Sequence, residues 1–268
     1  MLKVIEHHSA SSGNTFIDCP QMWIIDKLYE FESEPNARMV MGLAAEDAAH
    51  HALSNQISNE DTIITDSKNK YMEHSPPLFD FKATDEYEWS GKIANKFVKE
   101  LKQYGNLISY QKEADVPGDK YGLKFNIVAK TDFEFENFIV DTKATAKVWR
   151  YAQTKGEKAQ GKKGRINHNY HPKPDHLRQQ FLYRELFGKE CLLLYASPWD
   201  NHTSDLGDHV GYLEQLINAF KSIEHILNIA NTFEDVVRMY PLTFDNWRWR
   251  YTPGAEDFAR KIWSKAFK

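Results

Sequence analysis

Two short runs of alternating apolar residues flank the polar pair Glu136-Asn137. This pattern predicts a β-hairpin with a two-residue turn, in which Asp132 and Asp141 are direct cross-strand neighbours. Their Cβ atoms would lie roughly 5 Å apart on one face. Because side chains alternate along a strand, Lys143 shares the face of Asp141, while Thr142 points away. The hairpin therefore predicts two carboxylates and an ammonium group at one place.

Two carboxylates at that distance repel each other unless a cation lies between them. Oxygen ligands with room for water are what magnesium or manganese prefers. A lysine beside such a metal can hold an attacking water or a phosphate oxygen. The alternative is an ordinary hairpin whose two aspartates lie solvated on its polar face, and the pair alone leaves both interpretations open.

The Asp followed by Asp-Thr-Lys resembles the PD-(D/E)XK nucleases, in their RecB-like exonuclease branch. Residues 9–20 are similar to the N-terminal segment of that branch, in which a serine-rich start leads into a short helix ending at Cys-Pro. Residues 41–50 resemble the helix of the family's first motif, where a glycine precedes a histidine or acidic residue by four positions. The matching residue is Glu46, and His50, one turn later on the same face, is the alternative.

Gln179 and Tyr183 stand four residues apart and therefore share one face of a predicted helix. They resemble the branch's Gln-x-x-x-Tyr motif, which implies that Gln179 lies near the active site and that Tyr183 packs near the DNA path. An ordinary amphipathic helix is the alternative. Glu113 matches a glutamate that relatives often place in the strand before the hairpin, and its role stays open.

The resemblance implies a metal-dependent DNA exonuclease that acts in recombination, repair or phage DNA processing. A structure-specific endonuclease and a catalytically silent DNA-binding protein are the alternatives. Lys143 would orient or deprotonate the attacking water, while Gln179 holds the geometry and Tyr183 belongs to the same catalytic set. The implied ligands of one or two Mg²⁺ or Mn²⁺ ions are Glu46, Asp132, Asp141 and the backbone carbonyl of Thr142.

The cysteine count separates two branches of the family. Many RecB-like nucleases hold an iron–sulfur cluster with four cysteines, but this chain has only Cys19 and Cys191. A four-thiolate cluster therefore cannot form within one chain, which favours the cluster-free exonucleases. Two distant cysteines also indicate a reducing compartment. The expected location is cytoplasmic, and the host cytoplasm if the protein is phage-encoded.

The charge of the chain is unevenly distributed. Residues 143–178 contain ten Lys or Arg against two acidic residues, so they carry +8, whereas the whole chain carries −4. A basic segment between the hairpin and the Gln-x-x-x-Tyr helix would attract a phosphate backbone; a solvated flexible insertion is the alternative. The predicted DNA-binding residues are Lys147, Arg150, Lys155, Lys158, Lys162, Lys163, Arg165 and Arg178.

Two further patterns give weaker indications of function. His168, His171 and His176 follow the basic segment without a recognised zinc spacing, so we do not expect a zinc site. Residues 245–251 alternate aromatic and basic side chains. They could form a stacking surface for single-stranded bases or an aromatic strand on the core with its arginines in solvent.

A length of 268 residues, 41% hydrophobic and 27% charged, predicts one large domain spanning 1–268. The fold class is α/β: a restriction-endonuclease-like core, with a central mixed β-sheet flanked by helices, and helical additions. Its predicted parts are a helical region (about 1–105), a catalytic core (about 106–200) and a C-terminal helical region (about 205–268). Helices are predicted over about 12–31, 39–57, 86–104, 175–187 and 209–229, and strands over about 108–116, 121–134, 138–145 and 190–197.

The expected partner is DNA. The resemblance leaves open a helicase or single-strand annealing protein as a partner, and a homo-oligomer. No stretch approaches the roughly 18 apolar residues of a membrane span, so no membrane partner is expected.

Overall fold

Nine α-helices and eight strands make up the parts of the chain that the computed structural model describes, residues 5–33, 35–75, 85–145, 172–207 and 211–268. This confirms the predicted α/β class with helical additions. The helices are α1 (Ala10–Asp18), α2 (Pro20–Lys27), α3 (Ala37–Ser54), α4 (Glu60–His74), α5 (Asp85–Leu101), α6 (Pro174–Phe187), α7 (Tyr212–Ile229), α8 (Phe233–Met239) and α9 (Ala255–Ala266). The strands are β1 (His7–Ser9), β2 (Ser109–Tyr110), β3 (Glu113–Val116), β4 (Asn126–Lys130), β5 (Phe133–Glu134), β6 (Phe138–Ala144), β7 (Glu190–Ala196) and β8 (Asn201–Ser204).

The strands form two sheets. The larger has the order β2-β5-β6-β7-β8, with β6 and β7 parallel and its other neighbours antiparallel. The smaller has the order β1-β4-β3, with β1 parallel to β4. The parallel pair β6 and β7 is joined through α6, the crossover helix that such a connection needs. The hairpin predicted from the sequence therefore lies at the centre of the larger sheet.

The two sheets share one bent antiparallel ladder. The predicted strands 108–116 and 121–134 each divide in two, yet the pairing continues across the break: the N–H of Gln111 donates to the carbonyl of Asp132 at 2.9 Å, and that of Thr131 to Lys112 at 3.0 Å. Gln111 has φ +51°, a left-handed conformation that turns the chain between β2 and β3. Asp132 lies opposite this bend, at the junction of the sheets.

The long helix predicted over 12–31 is two helices. Pro20 has no N–H and disfavours a helical conformation for the residue before it, and Cys19 is accordingly non-helical at φ −156° and ψ 83°. The first of the two packs closely on α7, where a Cβ on Gly13 would lie 2.5 Å from Leu216 Cδ1. The serine-glycine segment at the N-terminus therefore allows a close helix contact.

Helix α3 lies against the sheet and against α4 and α5 through a face of small residues. Five alanines on this face are almost completely buried, which lets the helix approach its neighbours closely. Their positions are Ala44, Ala45, Ala48, Ala49 and Ala52. The same helix carries Glu46 towards the end of β6.

Candidate functional site

Strands β5 and β6 form the predicted hairpin. The N–H of Phe135 donates to the carbonyl of Phe138 at 2.8 Å, which closes the two-residue turn, and the antiparallel register is the predicted one. Extending this register by one pair places Asp132 opposite Asp141. Asp132 lies immediately before β5, where the chain bends towards the smaller sheet. It is therefore not part of the regular strand.

Asp141 is the centre of the polar cluster. Its side chain is completely buried and forms an ion pair with Lys143 Nζ through Oδ2, while Oδ1 accepts a hydrogen bond from Gln179 Nε2 at 3.2 Å. Burial and the charge of Asp132 raise the pKa of Asp141. A carboxylate in this position is stabilised by any cation that approaches it.

The Asp132 carboxylate contacts β6 at Thr142, the residue after Asp141. Its Oδ2 accepts a hydrogen bond from the backbone N–H of Thr142 at 2.8 Å. The Thr142 hydroxyl lies 3.3 Å from that oxygen and 3.4 Å from Glu46 Oε2. The hydroxyl therefore bridges two carboxylates that belong to different elements of the fold, and the expectation that Thr142 points away from the carboxylates is wrong.

Glu46 reaches the cluster from α3. One turn earlier on this helix, Gly42 faces Ala144 at the end of β6, and an added Cβ there would lie 3.7 Å from that of Ala144. Burial, Asp132 and Asp141 raise the pKa of Glu46. The rival residue His50 instead stacks its ring on Tyr110 at a centroid distance of 4.0 Å. Of the two alternatives, Glu46 is the one whose side chain lies among the aspartates.

Lys143 is a cation at this site. Burial lowers the pKa of its ammonium group, but the carboxylates of Asp141 and Asp132 outweigh burial, and the pKa lies above its ordinary value. The side chain is 24% exposed, so solvent reaches it. A lysine that remains protonated can orient water or offset negative charge, whereas it is a poor proton acceptor.

Gln179 and Tyr183 lie on one face of α6, as predicted. The side-chain amide of Gln179 donates to the hydroxyl of Tyr183 at 2.7 Å as well as to Asp141. The tyrosine hydroxyl in turn donates to the carbonyl of Lys130 at 2.5 Å. Tyr183 is only 4% exposed, so it acts on the site through Gln179 and does not reach the surface along which a strand would pass.

Tyr110 was not identified from the sequence. Its hydroxyl lies 3.1 Å from Glu46 Oε1 and 2.9 Å from Asp47 Oδ1, and its ring stacks on His50. It pairs with Phe133 across β2 and β5, next to the bend at Asp132. Only the register of this ladder could have placed it near Glu46, since its neighbours in sequence carry no motif.

His176, for which the sequence predicts no zinc site and no other role, lies beside the cluster. It shares a hydrogen bond with the Tyr195 hydroxyl at 2.7 Å. Burial, followed by the charge of Lys143, lowers the pKa of His176 to about 3, so its ring is neutral at physiological pH. A signal existed, because His176 precedes Gln179 by three residues and shares its helical face.

The basic segment falls mostly outside the described residues. The predicted DNA-binding residues outside them are Lys147, Arg150, Lys155, Lys158, Lys162, Lys163 and Arg165, as are His168 and His171. The prediction for Arg178 is wrong: this arginine is 4% exposed, with Nη2 2.8 Å from Asp18 Oδ1 and Nε donating to Asn14 Oδ1 at 2.6 Å. Its guanidinium is enclosed between α1 and α6 and cannot reach a phosphate backbone.

Glu113 also lies away from the cluster. It stands on β3 in the smaller sheet with its side chain 65% exposed, 4.0 Å from Lys130 Nζ. The match to a family glutamate therefore does not correspond to a residue of this site.

The carboxylate oxygens of this cluster are ligands of the kind that a hard cation binds. Among the described residues, no three His, Cys, Asp or Glu side chains are arranged as an assembled metal site. The three carboxylates nevertheless face one another closely enough to raise two of their pKa values, and Lys143 supplies the positive charge beside them. Oxygen ligands that repel each other, of which Asp132 and Glu46 are only partly buried, fit Mg²⁺ or Mn²⁺.

Comparison with known proteins adds little. No family model matches the chain, and no curated protein matches it. Among solved structures, the chain is similar to one described as the crystal structure of SSO0001, with 12% identity, a TM-score of 0.34, and coverage of 72% of this chain and 91% of the other. A likeness at this level carries no argument about fold or function. None of the helices in the described ranges has the length and apolar character needed to cross a membrane.

Proposed function

We propose that this chain is a metal-dependent deoxyribonuclease that degrades DNA as an exonuclease. One observation carries the proposal: Asp141, completely buried, is joined to the ammonium group of Lys143, and two further carboxylates, Asp132 and Glu46, meet at the same place. Perturbed acidic clusters that solvent can reach are typical of catalytic sites. The order of these residues along the chain also agrees with the resemblance to PD-(D/E)XK nucleases.

The residues that would hold Mg²⁺ or Mn²⁺ are Asp132, Asp141, Glu46 and the backbone carbonyl of Thr142. When bound, such an ion lowers the pKa of a coordinated water and offsets the negative charge that builds on the phosphoryl group. The backbone N–H and hydroxyl of Thr142 fix the Asp132 carboxylate next to Glu46.

Lys143 has the role of orienting water and phosphate. Its ammonium group lies beside Asp141 and can donate hydrogen bonds to an attacking water or to a non-bridging phosphate oxygen. In its neutral form the same amine would accept the proton of the attacking water. Gln179 holds Asp141 in place, since its amide bonds that carboxylate on one side and Tyr183 on the other.

The test is a time course with end-labelled linear DNA and covalently closed circular DNA, each with Mg²⁺, with Mn²⁺ and with EDTA. Metal-dependent loss of the linear DNA with an untouched circle is the expected result. Asp141→Asn and Lys143→Met should each reduce the rate by about 100-fold or more, because each removes a group that the transition state requires. DNA binding in EDTA should persist in both variants.

Glu113→Gln is the matched control, since it removes an exposed carboxylate outside the cluster, and we expect wild-type cleavage. Nicking or linearisation of the circle would instead favour a structure-specific endonuclease. DNA that is bound but uncut with every metal would favour a catalytically silent binding protein. Full activity of purified Asp141→Asn or Lys143→Met would refute the assigned site.

A further inference from the structure

A cavity of about 440 Å³ lies between α2, the N-terminal turn of α3 and the 3₁₀ turn Trp247–Tyr251. Its volume is within the range of sites that enclose a small organic ligand. Its lining mixes apolar and aromatic side chains with two arginines and one aspartate. The residues that decide its chemistry are Phe31, Met39, Trp247, Arg38, Arg248 and Asp26.

The two tryptophans of the aromatic-basic motif lie in different environments in the 3₁₀ turn. Trp249 is 3% exposed and belongs to the core, whereas Trp247 is 47% exposed at the wall of the cavity. The expected packing of an aromatic residue on the core therefore holds for Trp249, although the segment is a turn and not a strand, and the stacking surface stays a prediction. An exposed tryptophan beside a cavity offers an aromatic face to a planar ligand.

Cations lie next to this aromatic face. The Arg248 guanidinium carbon is 4.9 Å from the centroid of the Trp247 ring, and Lys173 Nζ is 5.9 Å from it. Arg248 Nε is buried and has no hydrogen-bond partner among the described residues, while Nη2 pairs with Asp18 Oδ2 at 2.9 Å. Arg38 is half exposed and pairs only loosely, at 3.6 Å, with Glu86. The cavity therefore combines a stacking surface with donors for an anion.

The cavity and the proposed catalytic cluster are connected by one helix, α3. Arg38 and Met39 open α3 at the cavity wall, Gly42 faces Ala144 one turn later, and Glu46 follows after one further turn. Two helical turns span about 11 Å. At roughly 3.4 Å per stacked nucleotide, this corresponds to about three nucleotides of one strand.

We propose that this cavity binds a nucleobase of single-stranded DNA, stacked on Trp247, about three nucleotides from the phosphate at the catalytic cluster. Arg38 and Lys173 contact the phosphates on either side of that base. A base that is paired in a duplex cannot enter a cavity without being extruded, which costs free energy. The cavity therefore makes an unpaired strand the preferred substrate; this inference rests on the proposed nuclease function.

The test measures the fluorescence anisotropy of a short labelled oligothymidylate, and of a blunt duplex, in EDTA so that no cleavage occurs. Trp247→Ala should weaken binding of the single strand by at least about fivefold, the low end of the effect of removing one stacked aromatic. Its affinity for the duplex should stay at the wild-type level, and Trp247→Phe should restore most of the single-strand affinity. Arg250→Ala is the control, because Arg250 is an exposed cation of the same turn and does not line the cavity.

The outcomes separate the cavity from the nuclease. If Trp247→Ala binds oligothymidylate like the wild type while linear DNA is still degraded, the cavity proposal is overturned and the nuclease proposal stands. If binding depends on Trp247 but no metal supports cleavage, the nuclease proposal fails and the cavity proposal stands. Equal losses in Trp247→Ala and Arg250→Ala, or equal losses for single strand and duplex, would overturn base binding. Should Trp247→Ala fail to fold by circular dichroism, Arg38→Ala provides the same comparison.

Discussion

At the scale of single residues, the position of Gln179 depends on Tyr183. Tyr183→Phe keeps the buried ring but removes the hydroxyl that accepts from Gln179 and donates to Lys130. We expect the free energy of unfolding to fall by about 1–2 kcal/mol. We also expect kcat for DNA cleavage to fall about tenfold, the effect of roughly 1.4 kcal/mol on the barrier, with KM unchanged.

Unfolding in urea and steady-state cleavage measure these two effects separately. Tyr121→Phe is the control, since its hydroxyl contacts an exposed glutamate, Glu185, at 3.0 Å away from the cluster. A loss of stability with unchanged kcat would make Tyr183 a purely structural residue.

The site residues that the sequence predicts are those that a local pattern positions. Asp132 and Asp141 were placed correctly because one short hairpin fixes both, and Gln179 and Tyr183 because one helical face does. Tyr110 reaches Glu46 through pairing between distant strands, which no local pattern encodes. Long-range register was therefore the information that the sequence pattern lacked.

At the scale of elements, Glu134 ties the hairpin to its surroundings. Its carboxylate accepts from Lys112 at 2.9 Å, Lys189 at 2.8 Å and Ser109 at 2.5 Å. Burial opposes ionisation of this carboxyl, but these three donors outweigh burial and lower the pKa of Glu134 to about 2. One side chain thus joins β2, β5 and the connection between α6 and β7.

Glu134→Gln should lower the free energy of unfolding at neutral pH by about 1–3 kcal/mol, since it removes the negative charge that faces two lysines and replaces one buried acceptor oxygen with a donor. Because the folded-state pKa lies below the ordinary value of 4.5, the stabilisation is complete above that value and is lost as the pH falls towards 2. The difference between wild type and variant should therefore shrink over this interval, as measured by urea unfolding at several pH values. Glu113→Gln should show no such difference, and a gap that stays constant down to pH 2 would contradict this role.

The elements that were predicted less well have weak local patterns. Helix α4 was missed because it buries only Ile63, Ser67 and Tyr71, a narrow stripe on an otherwise polar surface. The segment between the predicted strand over 190–197 and the predicted helix over 209–229 contains a strand that was not predicted, β8, whose residues are half-buried at the edge of the sheet. The bend at Gln111 depends on a left-handed conformation that nothing in its neighbours requires. In all three cases the local structure is determined by tertiary packing and not by the local sequence.

At the scale of the whole molecule, Asp18 connects three distant parts of the chain. Its two carboxylate oxygens bind Arg178 on α6 at 2.8 Å and Arg248 in the C-terminal turn at 2.9 Å. Its carbonyl accepts from Asn246 Nδ2 at 2.6 Å. The end of α1 thereby links the helix of Gln179 to the turn of Trp247. The sequence pattern assigned Arg178 to DNA because composition cannot distinguish an enclosed cation from an exposed one.

Asp18→Ala leaves the guanidinium of Arg178 buried without its carboxylate partner, and we expect the free energy of unfolding to fall by about 3–5 kcal/mol. Arg248 contributes less to this loss, because it is 19% exposed and water can replace part of the lost contact. If the cost comes from an uncompensated buried charge, the double variant Asp18→Ala/Arg178→Met should be more stable than Asp18→Ala alone. Urea unfolding of wild type, both single variants and the double variant completes the cycle. A double variant whose loss equals the sum of the two single losses would show that Asp18 and Arg178 act independently. The link between the helix of Gln179 and the C-terminal turn would then not pass through this pair.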